Sequence, residues 1–248
     1  MSGHSKWATT KRRKSAVDAK RGKIFTKLTK EITVAARIGG GDADINPRLR
    51  NAIAEAKANN MPNENIERAI KRGTGELEGV QYEELSLEAY APGGVALIME
   101  ILTDNRNRTL ADVRHILSKS GGNLGERGCV SWMFEKKGLI VVDKDSSDED
   151  EIFMLALEAG ADDLKTENDT FDIYTTPETF GDVRNAIEEA GIDITLAEIS
   201  MIPKITVRVE GKNAQQVLQL LETLDEHDDI QHVYSNFDVP DEMLDAAA

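Results

Sequence analysis

The sequence predicts an α+β multidomain protein: an N-terminal helical bundle followed by two α+β domains, one ferredoxin-like and inserted in the other. Three observations predict it. Helix start and stop signals recur through the first 75 residues. From Tyr82 apolar alternation takes over. Residues 138–201 then run in the order βαββαβ.

Residues 1–10 lack periodicity and read as an exposed arm, and Lys11–Arg21 reads as a short helix ending before Gly22. A clearer helix spans 23–38 and stops at Gly39-Gly40-Gly41. Asn46-Pro47 supplies an N-cap and a first helical residue for a helix over 47–59. Pro62 opens another that ends at Gly73, and 73–80 reads as a linker.

Strands are expected at 82–90 and 94–102 around Pro92-Gly93-Gly94, then a helix at 106–120 closed by Gly121-Gly122, then a strand-like stretch at 129–135. The βαββαβ unit follows as strand 138–143, helix 149–159, strands 162–167 and 169–175, helix 178–190 and strand 193–201. After Pro203 come strand 204–209, helix 213–225 and strand 230–236, too little for a domain alone. The economical partition is a basic helical domain (1–79), a discontinuous α+β domain (80–135 and 203–240), an insert (136–202) and a tail (241–248).

Charge is divided along the chain. Residues 1–75 hold 17 Lys/Arg against 7 Asp/Glu, whereas residues 76–248 hold 13 against 38, within an overall net charge of −15. A basic end on an acidic body suggests a polyanionic partner, bound basic end first. Solubility alone is the competing explanation.

On the 23–38 helix, Phe25, Leu28, Ile32 and Ala35 share one side, and Lys23, Lys27, Lys30 and Arg37 lie within about 80° of one another on the opposite side. A stripe of one sign suits a phosphate backbone. Lys6, Lys11, Arg12, Arg13, Lys14, Lys20 and Arg21 extend it, and Trp7 is either a base-stacking ring or a core residue. Arg48, Arg50, Arg106 and Arg108 stand in first helical turns, where the macrodipole disfavours cations. An anion would explain them; for Arg106 and Arg108, local pairing with Asp104 and Asp112 explains them equally. Lys71 and Arg72 end a helix, where cations cap it and can also extend a basic surface.

Other chemistry is poorly supported. One cysteine, Cys129, leaves no internal disulfide and no multi-cysteine zinc site, and His4, His115, His227 and His232 form no metal motif. Gly121–Gly125 lacks P-loop and dinucleotide spacing and reads as a helix end. The stretch Asp42–Asn46 begins like an EF-hand loop, but Pro47 and Ile53 replace its Gly and Glu. The acids Asp225, Glu226, Asp228 and Asp229 read as a solvated turn before a metal site. No cofactor, catalytic residue or membrane span is expected. The start has no apolar segment of a secretory signal, though its Arg-rich composition also suits a transit peptide.

Several blocks resemble the YebC-type family: Met1–Trp7, Asp18–Phe25, Asn46–Arg50, Ile66–Gly73, Thr103–Thr109 and Gly121–Gly125, in order along the chain. Thr9-Thr10-Lys11-Arg12 departs from the Asn-Ile and His that members often carry, but keeps the basic character. The resemblance implies a three-domain, cytoplasmic protein described as a transcriptional regulator that binds DNA. It also implies kinship with a mitochondrial translational activator of cytochrome c oxidase and with ribosome-associated factors that relieve stalling at proline-rich stretches. DNA and ribosomal RNA present the same phosphates, so the basic residues alone do not choose between them. A metal-dependent enzyme is the remote alternative, and the sequence does not reveal the oligomeric state.

Overall fold

The computed structural model describes residues 18–146, 148–167 and 169–240, with side chains from residue 22 onward. Lys6, Trp7, Lys11, Arg12, Arg13 and Lys14 lie outside the described residues, as do the side chains of Lys20 and Arg21.

Among the described residues three helices form the first unit: α1 (Asp18–Gly39), α2 (Pro47–Ala58) and α3 (Asn63–Thr74). α1 runs unbroken through Gly22, where the sequence predicts a stop. A helical glycine costs only about 1 kcal/mol relative to Ala, which packing readily overrides. Asn46 caps α2, its side chain accepting from the Leu49 N–H at 3.1 Å and donating to the Ala35 and Gly40 carbonyls. Leu28, Ile32, Ala35, Leu49, Ala52, Ala56, Ile66 and Ala69 make the core. α1 and α3 run side by side in the same direction: Thr33 donates to the Ala69 carbonyl, and Gly73 abuts Ala36. A Cβ on Gly73 would collide with the Thr33 carbonyl oxygen and come within 2.7 Å of the Ala36 Cβ. The glycine thus permits the helices to touch.

The second unit is an antiparallel sheet in the order β3-β1-β2-β9, formed by β1 (Glu83–Tyr90), β2 (Ala96–Thr103), β3 (Asn123–Leu124) and β9 (Ile230–Ser235). β2 is central and buried on both faces. Leu97, Met99 and Ile101 meet α4 (Arg106–Lys119) and α7 (Gly211–Asp225) through Val113, Leu117, Val217 and Leu221. Ala96 and Ile98 face Val130, Phe134 and Tyr234. α4 ends as the glycines direct: Gly121 has φ +78°, and the Gly122 N–H bonds the Leu117 carbonyl. Short β8 (Val207–Arg208) and β10 (Phe237–Asp238) pair in parallel.

Between these segments lies the insert. β4 (Phe134–Asp143), α5 (Glu149–Glu158), β5 (Asp163–Thr166), β6 (Thr170–Thr175), α6 (Phe180–Glu189) and β7 (Ile194–Pro203) form an antiparallel sheet in the order β5-β6-β4-β7, with both helices on one face. That is the ferredoxin-like arrangement. One local expectation fails. Residues 131–133 form a 3-10 turn rather than strand, and β4 begins at Phe134 and continues to Asp143. The backbone N–H groups of Gly128, Val130 and Ser131 all point to the Glu88 carboxylate, so they are unavailable to a neighbouring strand.

Candidate nucleic-acid interface

The expected outward stripe on α1 is outward only at its ends: Lys23 and Arg37 are exposed, whereas Lys27 is half-buried and Lys30 buried. Lys30 is 7% exposed, and its ammonium contacts the Asp229 carboxylate at 2.5 Å and the Asp228 carbonyl at 2.9 Å. Lys27 donates to the Asp225 carbonyl at 2.6 Å, and Lys23 stands 3.5 Å from Glu226. Arg37 donates to the Tyr82 carbonyl at 2.7 Å. The reason is tertiary. The acidic turn from the end of α7 into β9 lies against α1, so a chain carboxylate or carbonyl meets each lysine of the stripe. Carbonyls at a helix C-terminus also favour cations, which suits Lys27. Asp225, Glu226, Asp228 and Asp229 are therefore not a simple solvated turn. They form the far side of a domain contact.

Asp229 is the centre of that contact. Its side chain is 4% exposed and accepts from Lys30, from Arg108 Nη2 at 2.8 Å, from Thr109 Oγ1 at 2.7 Å and from Thr103 Oγ1 at 3.2 Å. Burial alone would push this carboxyl up. Hydrogen bonds from Lys30, Arg108 and Thr109 outweigh it and hold the carboxyl far below the usual range. The Asp229 N–H donates to His227 Nδ1, which leaves the proton of a neutral ring on Nε2, 3.6 Å from Asp112. Around these groups lies a cleft of about 530 Å³, lined also by Thr26, Tyr82 and Asp104. Its mixed charge suits a domain contact more than an anion site. Among the described residues no group of His, Cys, Asp and Glu could hold a metal ion.

The other expected cations are mostly occupied as well. Arg48 grips Glu31 with two hydrogen bonds (2.6 and 3.0 Å) and reaches Glu84 at 2.6 Å, tying α2 to α1 and β1. Arg50 donates to the Ala43 and Asp44 carbonyls. Arg108 pairs with Asp104 and Asp229, so local pairing accounts for it. Asp112 faces His227 instead. Arg106 alone of this set is exposed with no partner among the described residues.

The unoccupied cations lie elsewhere. Arg68, Lys71 and Arg72 are exposed on the last turns of α3, with no hydrogen-bond or ion-pair partner among the described residues, and Arg72 acts electrostatically on the Tyr82 hydroxyl. Because α1 and α3 run in the same direction, the end of α3 at Gly73 lies against the Arg37 backbone, and Gly79 of the linker packs on the Arg72 stem. In the sequence Lys71 and Arg72 read chiefly as capping cations, and Arg68 goes unremarked. The missed signal is their spacing, which puts residues 68, 71 and 72 on one helix face. Also missed are Trp132, 59% exposed, and Glu88, which holds the loop before it.

Comparison with known proteins agrees with this architecture. Residues 5–76 match the model of the TACO1/YebC protein N-terminal domain, and residues 82–237 match the model of the TACO1/YebC second and third domain. A "probable transcriptional regulatory protein" of Desulforapulum autotrophicum is 62% identical over 246 residues, covering 99% of this chain and 100% of the relative. One from Syntrophobacter fumaroxidans is 60% identical over 249 residues, covering 100% of both. The crystal structure of a conserved hypothetical protein from Aquifex aeolicus superposes with a TM-score of 0.80 at 50% identity, covering 90% of this chain and 92% of that one. With matches along both its helical bundle and its α+β body, the chain belongs to the TACO1/YebC family.

Proposed function

We propose that this protein is a non-enzymatic, cytoplasmic regulator of gene expression that binds nucleic acid, and that it acts as a DNA-binding transcriptional regulator. The observation that carries the reading is the set Arg68, Lys71 and Arg72. These cations project from one face of α3, with no carboxylate partner among the described residues, in the domain whose sequence also carries the basic arm. The names of the relatives support regulation of transcription. Phosphates are the natural partners of such a patch, and binding through them is insensitive to base sequence. Lys11, Arg12, Arg13 and Lys14, with Lys6, Trp7, Lys20 and Arg21, precede or open α1 and supply further contacts to the same nucleic acid. Arg37, Arg50 and Arg106 border it. Lys23, Lys27, Lys30, Arg48 and Arg108 support it from behind, fixing the domains.

A second reading, a ribosome-associated translation factor, draws on Arg106. This exposed cation belongs to the α+β body, so two domains offer contacts, and contacts joined in one chain raise avidity. Co-sedimentation with ribosomes against enrichment at promoters separates the two readings.

The direct test replaces Arg68, Lys71 and Arg72 by Ala and measures affinity for duplex DNA against salt concentration. The slope should flatten by about 0.9 units for each phosphate that these side chains neutralise, at unchanged melting temperature. An unchanged slope removes α3 from the interface.

A further inference from the structure

The loop between β3 and β4 is built to hold one aromatic ring still. Glu88 is 7% exposed and sits in β1 beneath this loop. Its carboxylate accepts three backbone N–H bonds: Gly128 at 2.7 Å, Val130 at 2.7 Å and Ser131 at 2.9 Å. Burial would push this carboxyl up, and the N–H bonds outweigh it and hold it low, so the charge is kept. The Glu88 carbonyl takes the Gly125 N–H at 2.8 Å, and the Tyr90 hydroxyl donates to the Cys129 carbonyl at 3.0 Å. A buried carboxylate that orders four residues of an exposed loop is a costly device for a mere connection.

What the loop presents is Trp132, the most exposed aromatic among the described residues at 59%. Its indole N–H already donates to the Cys129 carbonyl at 3.1 Å, so the exposed ring offers a π face rather than a hydrogen-bond donor. Cations accompany it, interleaved in sequence with the exposed acids Glu126 and Glu135. Arg127 is in the same loop, Lys136 is two residues into β4, and Lys204 is held beside Met133 by its N–H bond to the Met133 carbonyl. All three are exposed and have no partner among the described residues.

We infer that Trp132 is a stacking platform for an unpaired base of single-stranded nucleic acid, with Arg127, Lys136 and Lys204 attracting its backbone. The inference rests on the nucleic-acid reading above and adds to it a partner with at least one exposed base. Every base has a π face, so such a platform is tolerant of sequence. A ring fixed before binding loses little entropy on contact, which is what the Glu88 anchor supplies. Paired bases within a duplex leave it nothing to stack on. Burial and then the Glu88 charge push the neighbouring Cys129 thiol up, which disfavours its thiolate.

The test uses the full chain with two probes, a short single-stranded RNA of mixed sequence and a blunt duplex DNA. Trp132→Ala should weaken binding to the single strand by roughly tenfold to a hundredfold and leave duplex affinity unchanged. Trp132→Phe should retain most of the single-strand affinity. Indole fluorescence should fall on RNA addition, and the part of that quench missing in Trp132→Phe reports the ring directly. Glu88→Gln, which weakens the anchor without touching the ring, should lower single-strand affinity less than Trp132→Ala. If the protein binds the RNA but Trp132→Ala binds equally and no quench belongs to Trp132, stacking is refuted while the nucleic-acid reading stands. If neither probe binds, that reading itself fails. Quenching by RNA-free ribosomal protein but not by RNA also overturns the inference, assigning the ring to a protein surface.

Discussion

Replacing Asp229 by Asn removes one buried negative charge from between two cations while keeping the side chain's shape. The Lys30 ammonium, itself nearly buried, would lose its counter-ion, and breaking such a pair on one side costs about 3–5 kcal/mol. The Arg108 side is 47% exposed and belongs to the surface regime of about 0–1 kcal/mol. The Asn oxygen can still accept from Thr109, which keeps the loss at the lower end, about 3 kcal/mol. For a chain of this size each kcal/mol is worth about 2–4 °C, so the melting transition should fall by roughly 6–12 °C. Thermal and urea denaturation at pH 7 read this. The pH dependence gives an independent check. The folded carboxyl titrates below its unfolded value of about 3.9, so its contribution is complete above that value and lost as the pH falls. The gap between wild type and Asp229→Asn should therefore be full at neutral pH and close progressively below about pH 4. A loss under about 1 kcal/mol at pH 7, or a gap that persists undiminished in acid, would refute the reasoning.

Gly73→Ala should destabilise by about 1–3 kcal/mol, because the collision with the Thr33 carbonyl outweighs the gain in helix propensity. Gly181→Ala, in a helix with open space around it, should be neutral or stabilising in the same urea titration. Lys23→Ala, which breaks a half-exposed pair with Glu226, should cost less than about 1 kcal/mol, whereas Lys30→Met should cost more because it takes the buried cation from Asp229 and leaves only Arg108 and two hydroxyls to offset its charge.

Much of the architecture is legible in the sequence because its signals are local. Asn46-Pro47 marks a helix start by capping chemistry, Gly121-Gly122 marks a stop by its positive φ, and the βαββαβ order of the insert follows from alternation. The strand expected at 129–135 forms only from Phe134, because the backbone donors before it go to Glu88, about 40 residues earlier, and the stop at Gly22 fails because packing overrides propensity. The candidate interface is half legible. The basic character of the first domain is a count, but which cations are free depends on pairing across the fold. Lys27 and Lys30 find partners 198 and 199 residues away, a relation that no helical wheel contains. That Arg68, Lys71 and Arg72 make an exposed cationic face of α3 emerges only once the neighbours of the other candidate cations are known.

Ultraviolet crosslinking in living cells, followed by mass spectrometry of the nucleotide-bearing peptides, tests the central claim most directly. Nucleotides should be found on peptides of the N-terminal arm and of α3. Adducts confined to the acidic insert, or none above background, would contradict it.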